Sequence, residues 1–306
     1  MNNHRYTLEP YNGMKSRYKC PNCNKKRVLT KYIDTQTNEY LNDLVGYCNR
    51  IVKCGYHYKP KQYFQENNIS IDKSQIKKII RPEQRPEPKT SFIDAEVMKK
   101  SNTRNNCNYF IEYLATIWDL EIAYFLAEKY NIGTSKYWKG ATVFWQVDIK
   151  NNLRTGKIML YNPKTGKRIK KPFNHINWVH SVLKLEKFNL EQCYFGEHLL
   201  IEDINKPVAL VESEKTAILC SIYLPEFIWL AVGSVNNLNE QKTKCLAGRD
   251  VVLFPDLKCF DLWNNKIPEL TKLASYRTST LLRDKATEKE RYQGLDIADY
   301  LIKTSS

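Results

Sequence analysis

No stretch of this 306-residue sequence approaches the ~18 consecutive apolar residues of a transmembrane helix. The first residues (MNNHRYTLEPYNG) carry no apolar segment of the kind a secretory signal needs. The expectation is a cytoplasmic protein that does not engage a membrane. Gly-x-Gly-x-x-Gly, Gly-x-Ser-x-Gly and His-Glu-x-x-His are all absent, which removes the dinucleotide fingerprint, the nucleophile elbow and the zincin helix. The five histidines form no pair, and His175 and His180, flanking Trp178, read as packing. Acid is in short supply, with 33 Asp and Glu against 48 Lys and Arg, a net charge of +15. That surplus favours a polyanionic partner. What is present is ample apolar material, 42% of residues, enough for one or two packed cores.

The nine cysteines are unevenly placed. Cys107, Cys193, Cys220, Cys245 and Cys259 are scattered and read as small buried hydrophobes. The other four fall in the first 54 residues as Cys20-Pro-Asn-Cys23 and Cys48-x5-Cys54. Two thiolates from a tight knuckle and two from a second pair complete a tetrahedral, structural zinc site with no open position for water. His57 is an alternative fourth ligand. The neighbouring Lys19, Lys25, Lys26, Arg27, Arg50 and Lys53 favour thiolate. So short a segment builds little core, and a metal would supply the missing stability. Tyrosines are interleaved with these cations, a composition suited to tracking a phosphate backbone and stacking on bases.

Charge and punctuation divide the chain. Residues 1–63 hold 12 Lys and Arg against 4 acids, whereas residues 206–306 hold 14 against 13. A second basic cluster, Lys150, Arg154, Lys157, Lys164, Lys167, Arg168, Lys170 and Lys171, contains no acid. Prolines at 82, 86 and 88 exclude helix and central strand and suggest an extended spacer. The reading is α/β in four parts: a zinc ribbon at 1–65, a proline-rich basic linker at 66–90, a mixed α+β subdomain at 91–205, and a parallel sheet flanked by helices at 206–306. In the third part, Asp119 is expected to cap a helix whose apolar face is Ile122, Phe125 and Leu126, ending near Asn131. Strands are expected at 141–149 and 157–161, joined by a turn that contains Asn151-Asn152 and Thr155-Gly156, with a further turn at Asn162-Pro163-Lys164-Thr165-Gly166. In the fourth, strands at 208–211, 228–232 and 251–254 alternate with helices, and 276–282 is a possible fourth strand. Such alternation implies parallel pairing.

Glu212 follows the first of these strands directly, and Asp256 follows the third. Strand ends of a parallel sheet share one rim, where ligands bind. The two carboxylates can therefore converge to hold Mg²⁺ and, through it, a phosphodiester. Glu214 is expected to point away along the next helix. Lys215, Lys258 and Arg249 are candidates to hold phosphate directly, Lys215 at a helix N-terminus.

The strand–Glu turn followed by a helix, the strand–Asp turn, and the late segment Gly294-Leu295-Asp296-Ile297-Ala298-Asp299 together resemble the Toprim domain of bacterial primases, topoisomerases and related nucleases. Zinc ribbon, mixed subdomain and Toprim domain in that order is similar to the layout of primase, above all the compact primase-like proteins of mobile elements. The resemblance is clearest over 15–60 and 205–302. It implies a Toprim-like sheet, Glu212 as general acid or base, and Asp256 as the first of an Asp-x-Asp metal pair. The second position is Lys258, where the family has an acid, and Asp261 is the nearest substitute ligand. It implies nucleic-acid contacts by Lys25, Lys26, Arg27 and Arg50 of the ribbon, by Lys150, Arg154, Lys157, Lys167 and Arg168 of the basic cluster, and by Lys215 and Lys258. The implied cofactors are structural zinc and catalytic magnesium, and the implied partners are single-stranded DNA and replication or helicase proteins. Three activities stay open on sequence: primer synthesis, DNA binding without catalysis, and a Toprim-type nuclease.

Overall fold

The computed structural model describes residues 5–67, 69, 89–102 and 107–305. The chain divides into two compact units, Met1–Pro86 and Glu87–Ser306. Most of the spacer expected over 66–90 lies outside the described residues.

The first unit is an antiparallel sheet of β1 (Tyr6–Leu8), β2 (Leu29–Asp34), β3 (Gly46–Cys48) and β4 (His57–Tyr58), in that order. Helices α1 (Ile51–Cys54) and α2 (Pro60–Glu66) complete it. Among the described residues, its buried apolar cluster is Cys20, Leu29 and Cys48, with Tyr18, Cys23, Val28, Cys54 and Tyr56 packed around them, and Val45 and Phe64 are buried besides. Thiols thus occupy the place of a hydrophobic core, as expected of a module too small to make one.

The second unit opens with α3 (Ala95–Asn102), α4 (Tyr109–Ile117) and α5 (Leu120–Lys129). Asp119 caps α5, accepting the backbone N–H of Ile122 at 2.8 Å. The buried face of α5 is Ala123, Leu126 and Ala127, continued by Tyr130. Phe125, expected inside, is 54% exposed and lies under the Lys129 ammonium. Small alanines let α5 approach its neighbours closely, and that turns the helix away from the bulkier ring.

An antiparallel sheet follows in the order β5 (Ile132–Ser135), β6 (Ala141–Val147), β7 (Leu153–Met159), β8 (Ile176–Trp178), followed by helix α6 (Val179–Val182). Every residue of β6 is buried. The reason is that its faces serve two cores: Ala141, Val143, Trp145 and Val147 pack with Ile93 and Val179, while Phe144 joins α4 and α5. Strand β7 begins earlier than expected, so Thr155 and Gly156 lie within it and not in the turn. The pairing of Trp145 with Gly156 explains this: a Cβ on Gly156 would stand 2.7 Å from the indole. The turn is shorter than expected, 148–152, and keeps the expected Asn151-Asn152; there Asp148 accepts the backbone N–H groups of Lys150 and Asn152.

The last layer is a parallel sheet in the order β10 (Ile228–Ala231), β9 (Val208–Val211), β11 (Asp250–Leu253), β12 (Ser275–Thr278). Its connections include α7 (Glu214–Tyr223), α8 (Phe260–Asn264) and α9 (Ile267–Leu270), the break between the last two preceding Pro268. Strand β12 ends at Thr278, short of the expected 282, and α10 (Leu281–Lys285), α11 (Glu288–Gln293) and α12 (Ile297–Ser305) close the chain. One continuous core runs from α4 and α5 to this sheet, so the two layers belong to a single unit. The α/β class with zinc ribbon, mixed layer and parallel sheet is the one read from the sequence. No described helix is long and apolar enough to cross a membrane.

Candidate functional sites: a thiol cage and an acidic cavity

In the first unit, Cys20 and Cys23 come from the turn before β2, Cys48 from the end of β3 and Cys54 from α1. Their sulfurs all lie within 4.8 Å of one another, and those of Cys20 and Cys54 are 3.7 Å apart. A tetrahedral zinc with ~2.3 Å bonds to sulfur requires S···S edges of ~3.8 Å, so the four residues fit the ion. Burial pushes the Cys48 thiol up to about 12. At Cys54 burial acts upward too, but the Tyr56 backbone N–H and the other thiols outweigh it and hold the group at about 7. His57 is elsewhere, with its Nε2 bonded to the Tyr32 hydroxyl at 2.9 Å and its ring stacked on that tyrosine. It is not a fourth ligand. Lys25, Lys26 and Arg27 are exposed on the turn that carries the knuckle, and Arg50 is half-buried beside α1.

In the second unit, the C-terminal ends of β9, β10 and β11 open on a cavity of about 550 Å³. Glu212 reaches it from the end of β9, Gly233 from beyond β10 and Asp256 from beyond β11. Two more carboxylates arrive from the segment leading into α12, Asp296 and Asp299. The backbone places them there. Gly294 ends α11 in the left-handed region at φ 71°, and the Leu257 N–H donates to the Leu295 carbonyl at 3.2 Å, tying the Asp256 loop to the Asp296 loop. Asp296 accepts the Asp299 backbone N–H at 2.8 Å and the Thr216 hydroxyl at 2.6 Å, which fixes it over the start of α7.

Cations face these acids. Lys157 comes from β7, and Lys167, Arg168 and Lys170 come from the loop beyond it. Lys215 comes from the first turn of α7, 3.8 Å from the Asp299 carboxylate. Glu214, expected to point away, lines the cavity and accepts both 2.9 and 3.0 Å hydrogen bonds from the Lys157 ammonium. It turns inward because Ser213 caps α7 one residue earlier, accepting the Thr216 N–H, which directs the first helical side chain towards β7.

The acids crowd one another. Burial, then Asp296, Glu212 and Asp299, pushes the Asp256 carboxyl up to about 8. Burial raises Glu212 above the ordinary carboxylate range, against the pull of Lys157 and Arg168. Asp299 is raised by burial and by Asp296. The chemistry of this donor set, hard carboxylate oxygens gathered beside Lys167, Arg168 and Lys215, fits an ion such as Mg²⁺, which takes one or two carboxylates and completes its shell with other oxygens.

The remaining residues expected at the site lie apart from it. Lys258 and Asp261 do not line the cavity; the Lys258 ammonium lies over the Tyr292 ring and its stem packs on Gly294. Arg154 is held by Asp148 at 2.7 Å and Glu191 at 3.0 Å, and Arg249, expected to meet phosphate, donates instead to the backbone carbonyls of Leu200, Asp203 and Lys206. Lys150 is exposed in the hairpin turn. Asp296 and Asp299 were the acids to find. Their sequence signal was the Gly-Leu-Asp-Ile-Ala-Asp spacing, which puts the first at a helix cap and the second one turn on.

A model described as "Zinc beta-ribbon finger, putative" matches residues 4–69, and one described as "Domain of unknown function (DUF6371)" matches residues 108–257. With the ribbon match, the four cysteines stand as a zinc-binding site. No curated protein matches in sequence. Similar solved structures include the primase fragment of the bacteriophage T7 primase-helicase protein, at 11% identity and TM-score 0.34 over 91% of this chain and 98% of that one. The E. coli primase catalytic core matches at 8% identity and TM-score 0.42 over 68% and 81%. The RNA polymerase domain of the Mycobacterium tuberculosis primase matches at 10% and 0.41 over 69% and 85%.

Proposed function

We propose that this chain is a primase-like nucleic-acid protein whose second unit carries out magnesium-dependent nucleotidyl transfer. The observation that supports this most is the convergence of Glu212, Asp256, Asp296 and Asp299 on one cavity with Lys157, Lys167, Arg168 and Lys215 opposite. Acids alone at a sheet rim cap helices; acids facing a row of cations suit a phosphate and its counter-ion together. Asp256, Asp296 and Asp299 would hold Mg²⁺, making good the carboxylate that Lys258 displaces from the Asp-x-Asp pattern. When bound, the ion supplies neutralisation of charge on phosphate oxygens. The chain's own groups do the rest. Lys167, Arg168 and Lys215 bind the phosphates of an incoming nucleotide. Glu212, with its raised affinity for a proton, accepts one from the attacking 3′-hydroxyl as that oxygen bonds to the α-phosphorus and pyrophosphate leaves. Lys25, Lys26, Arg27 and Arg50 of the ribbon would track a single-stranded DNA template. Replication or maintenance of a mobile element, alongside helicase or other replication proteins, is the process such an activity would serve.

The test is to incubate the purified chain with diverse single-stranded DNA templates, nucleoside triphosphates and Mg²⁺. Labelled oligonucleotide products are expected, reduced at least ~100-fold by Glu212→Gln or Asp256→Asn. Absence of product with intact, chelator-insensitive DNA binding would contradict catalysis. Degradation of the template would reassign the same cavity to a nuclease.

A further inference from the structure

Beyond the acidic cavity, the loop that supplies its cations continues into a cluster of exposed aromatic rings. Lys170 lines the cavity, and Phe173 is three residues further on, 54% exposed. The imidazole of His175 backs the Phe173 ring at 4.4 Å in a stacked arrangement, and its own Nδ1 is anchored on the Ile169 carbonyl oxygen 3.1 Å away. Trp138, half-buried, sits edge-on to His175 at 5.1 Å, and Tyr137, 48% exposed, packs edge-on to Trp138 at 4.6 Å. Two open rings are therefore held on two anchored ones. Exposed Lys136, Lys139 and Lys171 lie beside these rings in the chain. Between Glu128 and Glu186 the only acid is Asp148, and it is neutralised by Arg154.

We infer that this ledge, centred on Phe173 and Tyr137, is a base-stacking site for single-stranded DNA. Unpaired bases offer π-faces that rings of this kind accept irrespective of sequence, while the flanking ammonium groups take the phosphates. The chain from 129 to 185 that carries these rings holds many lysines and arginines and the single acid Asp148, a charge balance that suits a phosphate backbone better than a basic partner. Continuity with the Lys167–Lys170 loop gives the strand a path from the ledge to the cavity. The inference deepens the reading of the second unit as one that handles a DNA strand.

The test measures binding of the full chain to fluorescein-labelled oligo(dT) by anisotropy, with neither Mg²⁺ nor nucleotide, and repeats it with an abasic strand of the same length and charge. Because no synthesis is read, failure of the nucleotidyl-transfer reading leaves this result standing, and the reverse. Phe173→Ala and Tyr137→Ala are each expected to weaken oligo(dT) by about 5- to 100-fold, the range for losing one base–ring stack. Abasic-strand affinity should be unchanged, and Phe173→Trp should retain oligo(dT) binding. Phe173→Leu, which keeps apolar bulk without a π-face, should behave as the alanine variant. Oligo(dT) affinity within twofold of the parent for both alanine variants would overturn the inference. So would equal losses for oligo(dT) and the abasic strand.

Discussion

At Asp256 burial and the neighbouring acids Asp296, Glu212 and Asp299 all act in one direction, against the charged carboxylate. Its carboxyl is pushed up to about 8, whereas an unfolded aspartate titrates near ~3.9. Between those values the folded chain binds more protons than the unfolded one, so this group lowers stability as pH rises through that window. Asp256→Asn removes the effect. The variant's melting temperature should gain on the parent's between pH 5 and pH 8.5, and added Mg²⁺ should narrow the gap by favouring the charged carboxylate. A gap independent of pH would contradict the crowding of acids described here. The Lys157–Glu214 pair makes a second residue-level prediction, since both side chains are largely buried, at 14% and 4% exposure. Lys157→Met takes from Glu214 the ammonium that makes both of its short hydrogen bonds, at a cost of up to about 3–5 kcal/mol. Adding Glu214→Gln to that variant should recover much of the loss in urea unfolding. Of these residues, the rim positions of Glu212 and Asp256 were legible because Glu212 directly follows one short apolar strand and Asp256 comes just after another, past Phe254 and Pro255. Glu214 was not, because the direction of a first-turn side chain depends on what packs against the helix, here β7.

At the scale of elements, the sequence resolves strands by apolar runs and turns by Gly, Pro and Asn, and it errs where packing overrides those signals. Gly156 reads as a turn residue, yet it lies in β7 to make room for Trp145. Phe125 reads as core, yet the alanines of α5 pack inward instead. Gly166 is where the turn reading holds: its φ is +59°, and a Cβ there would collide with the Tyr113 ring. Gly166→Ala should therefore cost more than the ~1–2 kcal/mol of the left-handed backbone alone. It should also displace Lys167 and Arg168, lowering phosphate affinity at the cavity. Removal of zinc acts on the whole ribbon. A chelator, or Cys20→Ser, should abolish the one zinc per chain and unfold the first unit, because its core is largely thiol. The melting transition of the second unit, with its separate apolar cores, should persist. Loss of both transitions together would contradict that independence.

For the whole molecule, the net charge of +15 is apportioned by part. The ribbon and the middle layer carry the excess, while the parallel-sheet layer is nearly neutral, because it must gather acids at its rim. Single-stranded DNA should bind with a steep salt dependence, log K falling by about 0.7 per phosphate neutralised for each decade of salt. A flat dependence would mean that the basic surfaces do not contact the backbone. The division into a ribbon and an α/β unit was readable from cysteine spacing and charge. The meeting of β9, β11 and the α12 cap at one cavity was readable only in part, since it depends on strand order and on the bond between Leu257 and Leu295.

The central claim is that distant acids form one cation site at the rim of the parallel sheet. Crystals of the chain grown with Mn²⁺ in place of Mg²⁺ would test it most directly through anomalous scattering. The account predicts a peak among Asp256, Asp296 and Asp299 that disappears in the Asp256→Asn variant. A peak elsewhere, or none at millimolar Mn²⁺ with the carboxylates ionised, would contradict it.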